Sequence, residues 1–380
     1  MSPGSNSPDA IMTSRDRMRA ALRRQQPDRV PICDSFWDQT LANWRREGRL
    51  PADADLNEFF GFEWRLVHFD SSFLLPETIL EETASHVVRR NAYGTVGKYE
   101  KGASAPAELL QFPIRTRKDW EGLKDRLHWN PHRFALTGFY SFTTAWTPPE
   151  QDWASKLEGL RRLKDTGDYI ALYCYDAFEA TWRKMGHEAA LIALMEDPDW
   201  MAEMFDAQMD LLIEGYRGMV EGGATVDGFF MASDLAFKTG IMFSPEVHRH
   251  LCLPGLTRLC EFLHDQDVDM IFHCDGDMRE LLPNLVEAGV DCVQPLEVQA
   301  GLDVRELKPR YGHKLAFMGN IGVHEMRLPQ AQLEDTIAEK MSIARQGGGY
   351  IYHSDHSIPP DMPFDTYMHV LKLARKYGQY

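Results

Sequence analysis

From Tyr169 to the C-terminus the chain repeats one unit: a short apolar run, a polar turn, then an amphipathic stretch at helical spacing. Apolar runs at 169–175, 226–231, 270–273, 292–297, 314–318 and from 350 alternate with helical stretches at 187–195, 199–222, 245–265, 278–288, 304–311 and 331–346. Short runs that lack polar alternation read as strands buried on both faces, the texture of a parallel sheet covered by crossover helices. Two earlier runs, at 29–34 and 64–70, bring the strand candidates to eight. Eight β/α units close on themselves, so the predicted fold is α/β, a (β/α)8 TIM barrel.

One stretch departs from this rhythm. Residues 81–99 alternate in short pieces punctuated by Gly94 and Gly97, which predicts an antiparallel meander. It is read as a β insertion after the second strand, over about 76–115. The domain plan is therefore a disordered lead-in at 1–12 and a single barrel over 13–380 that carries the insertion.

Composition narrows the function classes. Asp and Glu number 57 against 41 Lys and Arg, a formal net charge of -16. Such a chain has no general attraction for nucleic acid or anionic membranes. No run of about 18 apolar residues is present to span a bilayer. Residues 1–8 have no apolar secretory core. The six cysteines are scattered with no CxxC pair, which fits reduced thiols and an expected cytoplasmic location.

In such barrels the site lies at the C-terminal ends of the strands. That rule selects Asp34, Asp70, Tyr175, Asp176 and Asp234 from the first four strands. It selects His273, Asp275, Glu297, Asn320, His353, Asp355 and His356 from the last four. So many acids repel one another unless a cation or protons compensate. Some are expected to cap the following helices instead. His273 and Asp275 stand two apart, so in extended chain both point the same way. With His356 arriving from the last strand, they are expected to hold one divalent ion, three protein ligands with an open position. Two His and a carboxylate suit zinc, with Fe(II) or Mn as alternatives. Cys274 should point away, unless a bulge makes it the ligand in place of Asp275.

With these residues in place, the chain resembles the uroporphyrinogen decarboxylase superfamily. The resemblance runs from about Thr13 to Tyr380 and rests on Arg29-Val30-Pro31, Asp234-Leu235-Ala236 and Phe243-Ser244-Pro245-Glu246. His273-Cys274-Asp275-Gly276, Met318-Gly319-Asn320-Ile321 and Ile358-Pro359-Pro360-Asp361 complete it. Members that decarboxylate the tetrapyrrole carry an Arg-Gln-Ala-Gly-Arg-Tyr stretch after the first strand. Here that place reads Ser35-Phe36-Trp37-Asp38-Gln39-Thr40, without the arginines. Members that move methyl groups from corrinoid proteins to thiols hold zinc through His-x-Cys and a later Cys. Here Asp275 and His356 stand at the two cysteine places.

The resemblance implies a metal-dependent methyltransferase-like enzyme that moves a methyl group between a corrinoid protein or methylated small molecule and an acceptor. In that reading Asp234, Glu297 and Asp70 are the expected catalytic groups. Asp34, Trp37, Tyr175, Asn320 and Asp355 are expected to bind substrate. His273, Asp275 and His356 hold the metal. A small-molecule substrate, a corrinoid-protein partner and a homodimer are expected. A decarboxylase is the alternative, and a non-catalytic binding protein on the same barrel is the third.

Overall fold

The structure is a computed structural model and describes residues 12–101, 107–137 and 151–380. The lead-in expected at 1–12 lies, apart from Met12, outside the described residues. Strand β1 spans Trp64–Phe69. Four strands follow: β2 (Thr78–Glu82), β3 (His86–Arg90), β4 (Val96–Glu100) and β5 (Glu108–Gln111). Next come the two-residue β6 (Phe134–Ala135), β7 (Tyr169–Tyr175) and β8 (Gly228–Ala232). A small hairpin, β9 (Ala236–Phe237) and β10 (Gly240–Ile241), sits before β11 (Asp269–His273). The last three strands are β12 (Cys292–Gln294), β13 (Ala316–Met318) and β14 (Tyr350–Ile351).

Strands β1, β7, β8, β11, β12, β13 and β14 pair in that order, all parallel. The eighth stave is the segment around Ile32. It bridges Tyr352 in parallel, and the Glu63 N–H donates to the Ile32 carbonyl at 3.1 Å. The barrel is thus closed. The expected first strand at 29–34 makes only bridges because Pro31 has no N–H and the Ile32 N–H goes to the Glu63 carboxylate at 2.8 Å. Likewise the expected strand at 292–297 stops at Gln294, where Pro295 cannot donate. The expected 245–265 helix divides into Pro245–Leu251 and Leu253–Asp265. Helices Trp153–Asp165, Ala177–Met185 and Phe364–Tyr377 are additional to the sequence reading. Strands β2 to β5 form a separate four-stranded antiparallel sheet between β1 and β6, where an antiparallel insertion is expected.

The period-two alternation of strands separates two cores. Ile170, Leu172 and Cys174 of β7 face the helix layer, as do Met270, Phe272 and Cys274 around β11. Tyr169, Ala171, Phe230, Ile271, Cys292 and Met318 fill the barrel, together with Met18, Ala21 and Leu22 of the first helix, Ser14–Leu22. That helix closes the N-terminal end. Arg15 pairs with Asp227 at 2.6 Å, Arg23 with Asp269 at 3.0 Å, and Arg17 with buried Glu63. With the bottom closed by apolar side chains and ion pairs, the open end is the C-terminal one. Among the described residues no helix is long and apolar enough to cross a membrane.

Candidate functional site

The same alternation builds the site. If Ile271 points into the barrel, so do His273 at the end of β11 and Asp275 just beyond it. Gln294 follows Cys292 on β12, and His353 follows Ile351 after β14, both two residues on and facing in. These side chains meet in a cavity of about 420 Å³ at the C-terminal mouth of the barrel.

At its centre one oxygen each of Asp234 and Asp275 and one His273 nitrogen lie within 4.8 Å of one another. His273 Nε2 is 3.4 Å from Asp234 Oδ1 and 3.9 Å from Asp275 Oδ1. His273 Nδ1 is bound by the side-chain oxygen of buried Gln294, its register partner on β12. A histidine that donates from Nδ1 presents the Nε2 lone pair to a ligand, which is the orientation of a metal-binding imidazole. The other oxygen of Asp275 lies 3.7 Å from His356 Nε2. The donor set fits a divalent ion: hard oxygens, one imidazole with its tautomer set, and a vacant side toward the cavity.

Electrostatics follow from this crowding. Burial alone pulls the His273 proton affinity down, but the Asp234 hydrogen bond and the Asp275 charge outweigh it and lift the pKa to about 9. The Asp355 hydrogen bond, against burial and with Asp275 beyond, lifts His356 to about 9. Burial raises Asp275 despite the neighbouring His273 charge. Asp234 is lowered: its burial is overcome by the hydrogen bond and charge of His273. The two carboxylates therefore share one cationic neighbour, His273.

The structure also places the other expected residues. Asp234, Asp355 and Trp37 line the cavity, as do His273, Asp275 and His356. Asp355 is held by backbone N–H groups of Val298 at 3.1 Å and Val323 at 2.8 Å. Asp34 lies buried outside the lining, accepting from the Tyr367 hydroxyl at 2.9 Å and from Ser354. Glu297 takes the Gly276 N–H at 2.8 Å and so shapes the loop carrying Asp275. Asn320 ties loops together, donating to the carbonyls of Leu296 at 2.9 Å and Leu302 at 2.8 Å. Asp70 accepts the Ser72 N–H at 2.7 Å in its own turn. Tyr175 lies under the Arg183 guanidinium, 4.2 Å from ring centre to carbon. Asp176 caps Ala177–Met185, as expected of some strand-end acids. Cys274 is fully buried in the helix-side core, its thiol pKa pushed up by burial, so the thiol points away from the cluster.

Several lining residues escaped the strand-end rule, among them Phe36, Asp38, Gln294, Tyr173 and Glu179. Gln294 ends an apolar run but is neither acid nor His. Tyr173 reads as plain strand, although its parity with Tyr169 and Ala171 turns it inward. Glu179 sits on a helix and reaches the cavity while bound to Arg183 at 2.6 Å and to the Trp182 indole at 2.7 Å.

The closed β/α barrel thus carries a cavity at its C-terminal mouth, with a His-carboxylate cluster whose donors could hold a metal ion. Comparison makes the assignment narrower. The family described as uroporphyrinogen decarboxylase (URO-D) matches residues 180–377, just over half of the chain, and the chain belongs to that family. Uroporphyrinogen decarboxylase of Salmonella arizonae is 32% identical over 82 residues, and that of Salmonella paratyphi B 30% over 82 residues. Each match spans 22% of this chain and only 22% of the relative's length. Among solved structures, a methyltransferase from Methanosarcina mazei superposes with a TM-score of 0.62 at 15% identity, covering 96% of this chain and 99% of that one. At that identity the likeness is one of fold.

Proposed function

We propose that the chain is a metal-dependent, methyltransferase-like enzyme that moves a methyl group between a methylated donor, corrinoid-borne or small, and a small acceptor. The observation that carries this reading is the convergence of Asp234, His273 and Asp275, with Gln294 setting the His273 tautomer. Zinc suits this set, with Fe(II) and Mn as alternatives. Bound there, the ion supplies Lewis-acid polarisation of an acceptor group and eases its deprotonation. The protein does the rest. Asp234 and Asp275 hold the ligand atoms in place, and Gln294 keeps Nε2 of His273 turned to the cavity. His356, carrying its proton up to about 9, stands 3.7 Å from Asp275 as a donor at the open side. Phe36, Trp37 and Tyr173 give apolar walls that exclude water from a methyl group.

The decarboxylase alternative fares worse at this cavity. A tetrapyrrole bearing many carboxylates calls for cationic partners. Among the described residues no Lys or Arg lines the cavity, whereas five carboxylates do.

Metal analysis of the purified protein tests the reading. We expect about one equivalent of a divalent transition metal, lost in His273→Gln and Asp275→Asn. Content below about a tenth of an equivalent after loading, unchanged by those substitutions, overturns it. Methylcobalamin serves as donor probe for methyl transfer, and uroporphyrinogen as the probe for carbon dioxide release.

A further inference from the structure

The lining of the same cavity carries a second feature. Trp37 and Asp38 stand at the start of the helix Asp38–Arg46, on the rim of the same cavity, with Phe36 beside them and Tyr173 also lining it. The Phe36 ring is anchored from behind by Trp44 at 5.5 Å and Tyr367 at 5.3 Å. Among the described residues the Trp37 side chain has no ring contact and no hydrogen bond, so its face is open to a ligand.

The charge balance of the lining points to what that ligand is. Glu179 is neutralised by Arg183. Asp355 faces His356, 3.9 Å away. Asp234 and Asp275 both lie beside His273, at 3.4 Å and 3.9 Å. Asp38 has no such neighbour: it is exposed, lines the cavity and has no ionic partner among the described residues. Three aromatic side chains and an unmatched carboxylate, with no Lys or Arg in the lining among the described residues, favour a positively charged ligand with an apolar skin. At the Trp37 and Asp38 wall a sulfonate, phosphate or carboxylate would meet a carboxylate and ring faces.

We propose that the substrate taken by this cavity belongs to the quaternary or highly methylated ammonium compounds, its cationic head held against Trp37 and Asp38. This rests on the reading of the cavity as a substrate site and names the class of its methyl-bearing ligand. A methylated ammonium head presents methyl groups in an apolar shell, so one of them could face the cluster while the rest stay on the aromatic wall.

Isothermal titration of the metal-loaded protein with three matched probes tests the proposal: choline, its neutral isostere 3,3-dimethylbutan-1-ol, and the anion 2-hydroxyethanesulfonate. Choline should bind at least about tenfold tighter than the neutral isostere, and the sulfonate should not bind. Trp37→Leu and Asp38→Asn should each weaken choline by about threefold or more with metal content unchanged. Equal or tighter binding of the neutral or anionic probe, no binding of choline, or indifference to both substitutions overturns the proposal. Metal content is read on the same samples. Choline binding without metal would overturn the metal reading and leave this one standing. Metal without choline binding would do the reverse.

Discussion

At the scale of single residues, the site turns on how His273 is held. Its proton affinity is raised to about 9 by two carboxylates, so below that pH a metal must displace a proton to reach Nε2. Apparent metal affinity should therefore rise with pH, by up to about tenfold per unit for the one proton, and level off near 9. Competition against a chelating dye between pH 6.5 and 9 measures this, and a flat profile would contradict the assignment. Gln294→Leu should weaken metal binding about 10- to 100-fold by freeing the imidazole, with Gln294→Glu weakening it less because an acceptor remains. His273 and Asp275 were legible in the sequence, since two ligand types at spacing two after an apolar run point the same way. Gln294 was not, because its role comes only from pairing with His273 across two strands 21 residues apart in sequence.

At the scale of elements, the loop after β11 depends on a close backbone approach. Gly276 has φ +84°, and a Cβ there would meet the Ala236 carbonyl oxygen of β9 at 2.6 Å. Both the left-handed conformation and the clash with main chain resist a side chain. Gly276→Ala should cost about 2 kcal/mol in urea unfolding and lower metal affinity by shifting Asp275. Gly48→Ala is the control, since φ is +70° there but nothing lies within 4 Å. It should cost about 1 kcal/mol and leave the metal untouched. If both variants lose equal stability and keep full metal affinity, the β9 contact does not position the loop. The strand and helix run from 169 onward was legible because each buried strand is a pure apolar run. The segment at 29–34 was legible as a barrel stave but not as a bridge-only one, since that depends on Glu63 taking its N–H.

At the scale of the whole molecule, buried acids tie stability to pH. Asp176, enclosed between β7 and the helix it caps, is raised to about 7 by burial, against the hydrogen bonds from Ser233 and the Glu179 N–H. A folded pKa above the unfolded value near 3.8 gives stability that is fully present below about 4 and lost as pH rises through 7. Asp176→Asn should flatten the fall in urea midpoint between pH 4 and 8 relative to the wild-type chain. Parallel curves for the two proteins would show that Asp176 is not the group responsible. By itself the sequence determined the barrel, its insertion and the strand ends that carry chemistry, because alternation and apolar runs are local signals that survive without knowledge of partners. Only the tertiary structure decided which of those ends meet. It joined Asp234 to His273 and Asp275, showed the hydrogen bonds that hold Asp34, Asp70, Glu297 and Asn320, and brought in Gln294 and Glu179. Proximity across a closed barrel depends on register and closure, which no single segment encodes. The strand Met270-Ile271-Phe272-His273 signalled a site, and its neighbours in space determined what kind.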